Sequence, residues 1–456
     1  MKDLTQGSMI RQLLNLASAM IVNMIAGTLY TLVNFFWLGK LGPKAQAAVA
    51  LAGSPIMIVL TLVPIITVGA RVLISQAVGA KDQALANRIF NETFGAAVIL
   101  MALAGCLAWI FRGTFGALLT PDGETSLLIT QLLLWYIPSI AIQVPSAVMG
   151  AALGGTGNMR ASMLAQLVSV MVNLIVSPLV IFGWLGFPKL GIVGAGAASF
   201  ASTLAALAIL GFYFIGKTDY LKFQPMRWFS KPLVLWRAFK IGLPVGIQSA
   251  VLACYMLLVL QLLRPFGPSE QAAMGIGQRL IQSAIMPIVA LSSATSVVAG
   301  QNFGAKLGHR VRECFRASIT IGFIATPLMF IVAQLFAQSI CKAFSDDPQV
   351  VANTVTYLRI MSFNLFPLTV ILSCFGTLTG LGNTRASLIT VIVSSILMIV
   401  PAWALSFHPD FNPSWMWELM LASSIAEMIM GLTFIRAEFR KRLYVAQSPA
   451  ALECPS

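Results

Sequence analysis

The chain has 456 residues, of which 58% are hydrophobic and only 10% are charged, and its mean hydropathy is +0.86. This composition excludes a soluble globule, which would need far more polar surface, and predicts an integral membrane protein. The net charge of +14 does not indicate a nucleic-acid partner, because the positive residues lie in the gaps between apolar runs. The six cysteines have no metal-ligand spacing, so we expect no metal site.

The apolar runs are long enough to cross a bilayer as helices, which takes about 20 residues each. They do not show the alternation that is typical of barrel strands. The fold class is therefore all-α and integral to the membrane. We predict twelve transmembrane helices, at 9–38, 46–77, 88–111, 126–150, 160–186, 191–216, 235–264, 272–301, 313–343, 349–380, 386–408 and 414–440.

The second half of the chain repeats the first at a constant offset of 225 residues. Gly42-Pro43 returns as Gly267-Pro268, and the segment 155–162 returns as 380–387 with six of eight residues identical. One register over such distant blocks indicates a duplication. Six helices per half bring the chain back to its starting side, so we predict two six-helix lobes related by a parallel internal repeat.

The predicted domains are an N-lobe at 1–216, a basic linker at 217–234, a C-lobe at 235–443 and a tail at 444–456. Of the 29 Lys and Arg residues, about 21 fall on the side of the N-terminus, three of them around the loop after the second helix. By the positive-inside rule, this asymmetry predicts that both termini, the linker and the tail are cytoplasmic.

Several sequence blocks resemble the multidrug and toxic compound extrusion (MATE) family of secondary exporters. They lie at 36–43, 76–80, 157–158, 173–178 and 300–305, and the resemblance extends from Leu13 to about Arg440. Within the family, the chain is most similar to the bacterial DNA-damage-inducible (DinF-like) branch. The resemblance implies two lobes around a central cavity that export amphipathic, mostly cationic compounds in exchange for H⁺ or Na⁺, without a cofactor.

Polar residues inside the predicted spans are candidates for the cavity wall. Asn23 and Tyr30 lie on one face of the first helix, and the offset of 225 maps them onto Gln248 and Tyr255 in the seventh helix. Two related faces that each carry an amide and a phenol favour a substrate cavity. Hydrogen bonding between helices is the alternative, since membrane proteins also use amides for that purpose.

The chain departs from the family pattern at three positions. Asn34 and Ser177 stand where many relatives have aspartates, and Ala19 stands where related proton-driven exporters have a bending proline, although its repeat partner Pro244 is retained. Neither an amide nor a hydroxyl titrates near neutral pH. Asn34, Asn173 and Ser177 are therefore expected to offer only neutral oxygens to a substrate or a sodium ion.

Glu427 is the carboxylate most clearly embedded in an apolar run. It lies 12 residues beyond Trp415, a predicted interface anchor, which places it about 18 Å into the membrane at 1.5 Å per residue. Burial near the midplane would favour a protonatable group that couples transport to protons. The alternative is a structural ion pair with Arg279 or Arg359, the two cations set inside the predicted eighth and tenth helices.

The leading hypothesis is therefore a multi-pass antiporter of the bacterial inner membrane, functional as a monomer, whose partners are small amphipathic molecules and the lipid bilayer. One alternative is a flippase for a lipid-linked precursor, which would need a cationic cluster for a pyrophosphate. Another is a dedicated exporter of one metabolite. An enzyme is not expected, because the sequence contains no plausible His, Cys or paired-carboxylate constellation.

Overall fold

A computed structural model describes residues 3–216, 220–225, 228 and 232–443, with side chains undescribed at 54–62, 216 and 232. The predicted tail, and residues 217–219, 226–227 and 229–231 of the predicted linker, lie outside the described residues. The described secondary structure is helical: α1 (Met9–Gly39), α2 (Pro43–Gly79), α3 (Gln83–Ile110), α4 (Arg112–Leu119), α5 (Gly123–Gly155), α6 (Met159–Phe182), α7 (Ile192–Gly216), α8 (Pro232–Leu262), α9 (Pro268–Gly304), α10 (Gly308–Leu335), α11 (Ala337–Lys342), α12 (Pro348–Ser362), α13 (Leu365–Gly380), α14 (Thr384–Leu405) and α15 (Pro413–Glu438), with 3-10 turns at Trp184–Gly186 and Arg264–Phe266 and a π-helical turn at Phe439–Leu443.

The prediction of an all-α membrane protein is confirmed. Within the described residues, ten helices are long and apolar enough to cross a bilayer, and α12 with α13 forms a bent pair that makes an eleventh candidate. The remaining predicted span, 46–77, coincides with α2, of which Val63–Gly79 is a described apolar stretch.

The predicted span at 349–380 is not one straight helix, because α12 and α13 are bent by 53° at their junction. The cause is Pro367, three residues into α13. Proline has no backbone N–H to give to the carbonyl of Phe363, and its ring conflicts with that carbonyl. The helix therefore ends at Ser362 and begins again at Leu365.

The repeat of 225 residues is also present in the backbone. Lys81 and Lys306 follow α2 and α9 with the same left-handed φ of 59°, and Gly157 and Gly382 follow α5 and α13 with φ of 80° and 79°. A left-handed lysine is uncommon, so its recurrence at the equivalent position is specific evidence. The two halves end their matching helices in the same way.

Residue contacts divide the chain into two compact units. The boundary passes through α1 and through α8, so the first turns of each helix belong to a different unit from the rest of that helix. The first unit contains Ser18–Leu243, and the second contains Leu4–Ala17 together with residues from Pro244 onward. Leu4 is fully buried in the second unit. Its N–H donates to Gln301 Oε1 at 3.2 Å and its carbonyl accepts from Asn302 Nδ2 at 3.1 Å.

The described part of the linker is held against α3 by two asparagines. Asn87 accepts from the N–H of Lys222 at 2.6 Å, and Asn91 accepts from the N–H of Gln224 at 2.6 Å. Their amide groups in turn donate to the carbonyls of Tyr220 and Lys222, each at 2.8 Å. Each asparagine thus pairs with both backbone donors and acceptors, which fixes the linker backbone on the first unit.

Candidate substrate cavity and proton site

The first unit contains a cavity of about 350 Å³ that is lined by α1, α2, α5, α6 and α7. Two residues of the predicted cavity wall, Asn23 and Tyr30, line it. Their role in substrate binding stays a prediction. The polar side chains that line the cavity with them are Thr67, Arg71, Gln143, Ser146, Ser162, Gln166, Ser169 and Thr203.

Tyr30 is positioned by a serine on α7. Its hydroxyl lies 3.3 Å from Ser202 Oγ, which also donates to the carbonyl of Ser199 at 2.9 Å. The offset of 225 places Ser202 at the position equivalent to Glu427. The first unit therefore has a neutral serine where the second unit has a carboxylate.

Arg71 is a residue whose importance the sequence reasoning missed. The charge pattern places it among the three basic residues around the loop after the second helix, but it lies within α2, eight residues before the end of that helix, and lines the cavity. Its Nε is buried and has no hydrogen-bond partner within the described residues. A signal was available, because Arg71 is the only charged residue between Lys44 and Lys81.

The backbone of Arg71 packs directly against α5 at a glycine. A Cβ on Gly155 would lie only 2.9 Å from the Arg71 carbonyl oxygen and 3.0 Å from Ile74 Cγ2. In the second unit, a Cβ on Gly380 would lie 2.5 Å from the carbonyl oxygen of Ser296. Since Gly380 and Ser296 are the repeat partners of Gly155 and Arg71, the same close helix contact occurs twice, and only the first copy carries a cation.

Glu427 lies on α15 in the second unit, half-buried. Ser394 Oγ on α14 donates a hydrogen bond to Glu427 Oε2 at 3.0 Å. Arg279 and Arg359 are both exposed, and among the described residues no ion pair joins either of them to Glu427. The predicted alternative of a structural ion pair is therefore not found. The role of Glu427 in proton coupling stays a prediction.

The candidates Asn34, Asn173 and Ser177 lie in the first unit, whereas Glu427 lies in the second. Asn173 and Ser177 are fully buried in α6 of the first unit, where Ser177 Oγ donates to Asn173 Oδ1 at 3.4 Å. Asn34 is half-buried on α1 of the same unit, and none of the three is among the residues that line the cavity. The structure thus groups Asn173 with Ser177 only.

The seventh predicted helix corresponds to α8, which carries Gln248 and Tyr255 in the second unit. Both side chains are half-buried, and Tyr255 packs against the hydrophobic core of that unit. Neither belongs to the cavity of the first unit. Pro244 lies inside α8, which continues through it to Leu262, and it is the residue at which the chain passes into the second unit.

The family model described as MatE matches two stretches of the chain, 19–179 and 244–404. The two matches are related by the offset of 225 found in the sequence and the backbone. The chain belongs to the MatE family. It is therefore a multi-pass membrane transporter and not an enzyme. The branch within the family stays a prediction.

Relatives of this MatE protein carry different transport names. The chain is 25% identical to an FAD transporter of Shewanella oneidensis, with 92% of each chain covered. It is 23% identical to the multidrug export protein MepA of Staphylococcus haemolyticus, with 96% of each covered. Among solved structures, a MATE protein in the bent conformation has a TM-score of 0.89 at 21% identity, with 98% of each chain covered. A MOP superfamily transporter from Pyrococcus furiosus has a TM-score of 0.85 at 21% identity, also with 98% of each covered.

Proposed function

We propose that the protein exports amphipathic organic compounds from the cell in exchange for protons, by alternating access. The observation that carries the proposal is Glu427, a carboxylate in a membrane-spanning helix whose described partner is a neutral hydroxyl. Ionisable residues in such segments are costly and usually functional. A hydroxyl can donate to an ionised carboxylate and accept from a protonated one, so Ser394 can hydrogen-bond Glu427 in both of its protonation states.

Proton coupling fits these side chains better than sodium coupling. A cation such as Na⁺ is held by several oxygen ligands, whereas among the described residues a single side chain, Ser394, hydrogen-bonds to Glu427. Asn34, Asn173 and Ser177 provide neutral oxygens in the first unit but cannot carry a proton. We therefore assign the coupling to Glu427 and treat sodium as the competing outcome of the experiment.

The proposed role of Glu427 gives a physical reason for the cationic substrates that the family resemblance implies. A deprotonated Glu427 would attract a cationic compound, and protonation would release it. The names of the relatives include both multidrug export and FAD transport, so the proposal covers amphipathic compounds as a class. The flippase alternative is weaker, because Arg279 and Arg359, its candidate cluster, are exposed.

The proposed setting is the bacterial plasma membrane, with both termini in the cytoplasm and a monomer as the functional unit. The support for this orientation is the excess of Lys and Arg in the gaps on the N-terminal side. Cysteine labelling from each side of the membrane, with single cysteines placed in the 217–234 linker and in the loop at 187–191, would test it. Reagent access from outside to the linker would overturn the orientation.

The proposed exchange can be tested with purified protein in liposomes and the cationic dye rhodamine 6G. An acidic lumen should drive dye uptake by the molecules whose cytoplasmic side faces outward, whereas a sodium gradient of equal size should not. Glu427→Gln should abolish the proton-driven uptake. Glu418→Gln, which changes an exposed carboxylate on the same helix, should leave it intact. Uptake that depends on sodium alone, or that persists in Glu427→Gln, would refute the assignment.

A further inference from the structure

The cavity of the first unit has the size and composition of a small-molecule site. Its volume of about 350 Å³ lies within the range of roughly 300–1,000 Å³ that is usual for ligand pockets. Asn23, Gln143 and Gln166 are among the residues that line it, and the structure describes no intramolecular hydrogen bond to their side chains. They can donate to or accept from a ligand without adding charge.

The charge of this cavity comes from Arg71. A guanidinium offers five N–H donors and stays protonated in proteins, yet Arg71 Nε is buried without an acceptor among the described residues. A buried charge is normally paired, because an unpaired one is costly. A carboxylate near the cavity would therefore be expected if Arg71 were paired within the first unit.

The described carboxylates between Ser18 and Leu243 are engaged elsewhere. Two of them cap helices, since Asp82 accepts from the N–H of Leu85 and Asp122 from that of Thr125. The other two form ion pairs, Glu92 with Arg88 at 2.8 Å and Glu124 with Lys44. No residue that the structure places around the cavity is acidic, and the undescribed side chains 54–62 include no acid either.

We propose that this cavity binds an anionic group, a carboxylate or a phosphate, of an amphipathic substrate, with the Arg71 guanidinium as its counter-charge. The planar fork of arginine matches either group with two parallel hydrogen bonds. Gly155 holds the Arg71 backbone against α5, which fixes the origin of the side chain. The equivalent position in the second unit is Ser296, so this anion site belongs to the first unit.

This inference rests on the proposed function only in treating the bound anion as part of a transported compound. It is tested by binding to the purified full-length protein, measured by equilibrium dialysis with two pairs of fluorescent probes. One pair is 1-naphthoate and its methyl ester, and the other is 1-naphthyl phosphate and 1-naphthol. Within each pair the ring is the same and only the anionic group changes, so the pairs distinguish a carboxylate from a phosphate.

We expect the wild-type protein to bind at least one anionic probe about tenfold or more tightly than its neutral partner, as a charge-assisted bidentate pair allows. Arg71→Gln should erase that preference, and Arg71→Lys should keep part of it, since lysine retains the charge but not the fork. Arg279→Gln, which removes an exposed cation from α9, should have no effect. Equal affinity within both pairs for the wild-type protein would overturn the proposal without any variant having to fold.

The outcome separates this inference from the proposed function. Proton-driven rhodamine 6G uptake that depends on Glu427, together with no preference for anionic probes, would reject the anion site and leave proton coupling standing. An anion preference that depends on Arg71, without any proton-driven transport, would support the anion site and reject the coupling. An anion preference that survives in Arg71→Gln would place the anion elsewhere and reject the inference.

Discussion

Ser394 Oγ donates a hydrogen bond of 3.0 Å to Glu427 Oε2, from α14 to α15. A hydrogen bond to the charged form of a carboxyl contributes about 1.5–3 kcal/mol, against about 0.5–1.5 kcal/mol for a bond between neutral groups, so this bond favours ionisation by roughly 1–1.5 kcal/mol. In Ser394→Ala, Glu427 would give up its proton less readily. We therefore expect the pH at which transport is half-maximal to rise by about one unit.

The pH dependence of rhodamine 6G uptake in liposomes measures this shift. Ser395→Ala is the matched control, because the neighbouring Ser395 Oγ donates to the carbonyl of Val391 at 2.7 Å and has no described bond to Glu427. An unchanged pH profile in Ser394→Ala would show that this hydroxyl does not tune the coupling step.

A larger residue at Gly155 should loosen the packing that positions Arg71. The 2.9 Å approach of a Cβ to the Arg71 carbonyl oxygen is shorter than van der Waals contact, so Gly155→Ala must push α2 away from α5. We expect a loss of about 1–3 kcal/mol, typical of overpacking, seen as a lower midpoint of thermal unfolding in detergent. Anion binding should weaken at the same time.

Gly211 provides the control for that substitution. It lies in α7 with no atom within 4 Å of its ideal Cβ position. Gly211→Ala should therefore stabilise the helix by up to about 1 kcal/mol, since alanine is the better helix former. Equal destabilisation by both substitutions would mean that the effect comes from the glycine backbone and not from the contact with Arg71.

Asn91 should determine how firmly the linker is held. In Asn91→Ala, the carbonyl of Lys222 and the N–H of Gln224 lose their partner, at about 1–3 kcal/mol for each group left unpaired. The linker should open more often, and trypsin should cleave after Lys222 about tenfold faster or more, because cleavage follows the open population. The rate is read from gels of the protein in detergent micelles.

Gln83→Ala is a useful comparison for the linker. Gln83 Nε2 donates to the carbonyl of Tyr220 from an exposed position at 3.1 Å, so its removal should change the cleavage rate much less. Equal protection in Asn91→Ala and the wild-type protein would indicate that apolar packing, such as that of the fully buried Leu221, holds the linker without the asparagines.

The helices and the repeat could be predicted because their signals can be read directly from the sequence. A run of about 20 apolar residues defines a span by itself, and recurring residues such as Gly157 and Gly382 mark equivalent helix ends. The inward position of Arg71 has no local signal of that kind. A cation near the end of an apolar run can extend toward the membrane–water interface or point into the protein. At Arg71, the inward position goes together with the close contact of Gly155, which lies on α5, far away in the sequence.

The linker contacts and the bend between α12 and α13 also have no local signal in the sequence from which they could be predicted. Pro367 is visible in the sequence, but proline elsewhere leaves helices continuous, as Pro138 and Pro145 do in α5. Whether a proline breaks a helix depends on how its neighbours satisfy the free carbonyl. Asn87 and Asn91 likewise look like ordinary polar residues of a helix start until the linker backbone lies beside them.

Asp122 should make the start of α5 sensitive to acid. Its side chain accepts hydrogen bonds from the side chain and the backbone N–H of Thr125, and these bonds lower the pKa of its carboxyl. A lowered folded-state pKa means that the stabilisation is present above the unfolded pKa and is lost as the pH falls through the folded one. In Asp122→Asn, the amide still caps the helix but no longer titrates. The midpoint of thermal unfolding in detergent, measured from pH 6 to pH 3, should therefore fall less steeply in Asp122→Asn than in the wild-type protein. Parallel curves would show that this cap adds nothing to acid sensitivity.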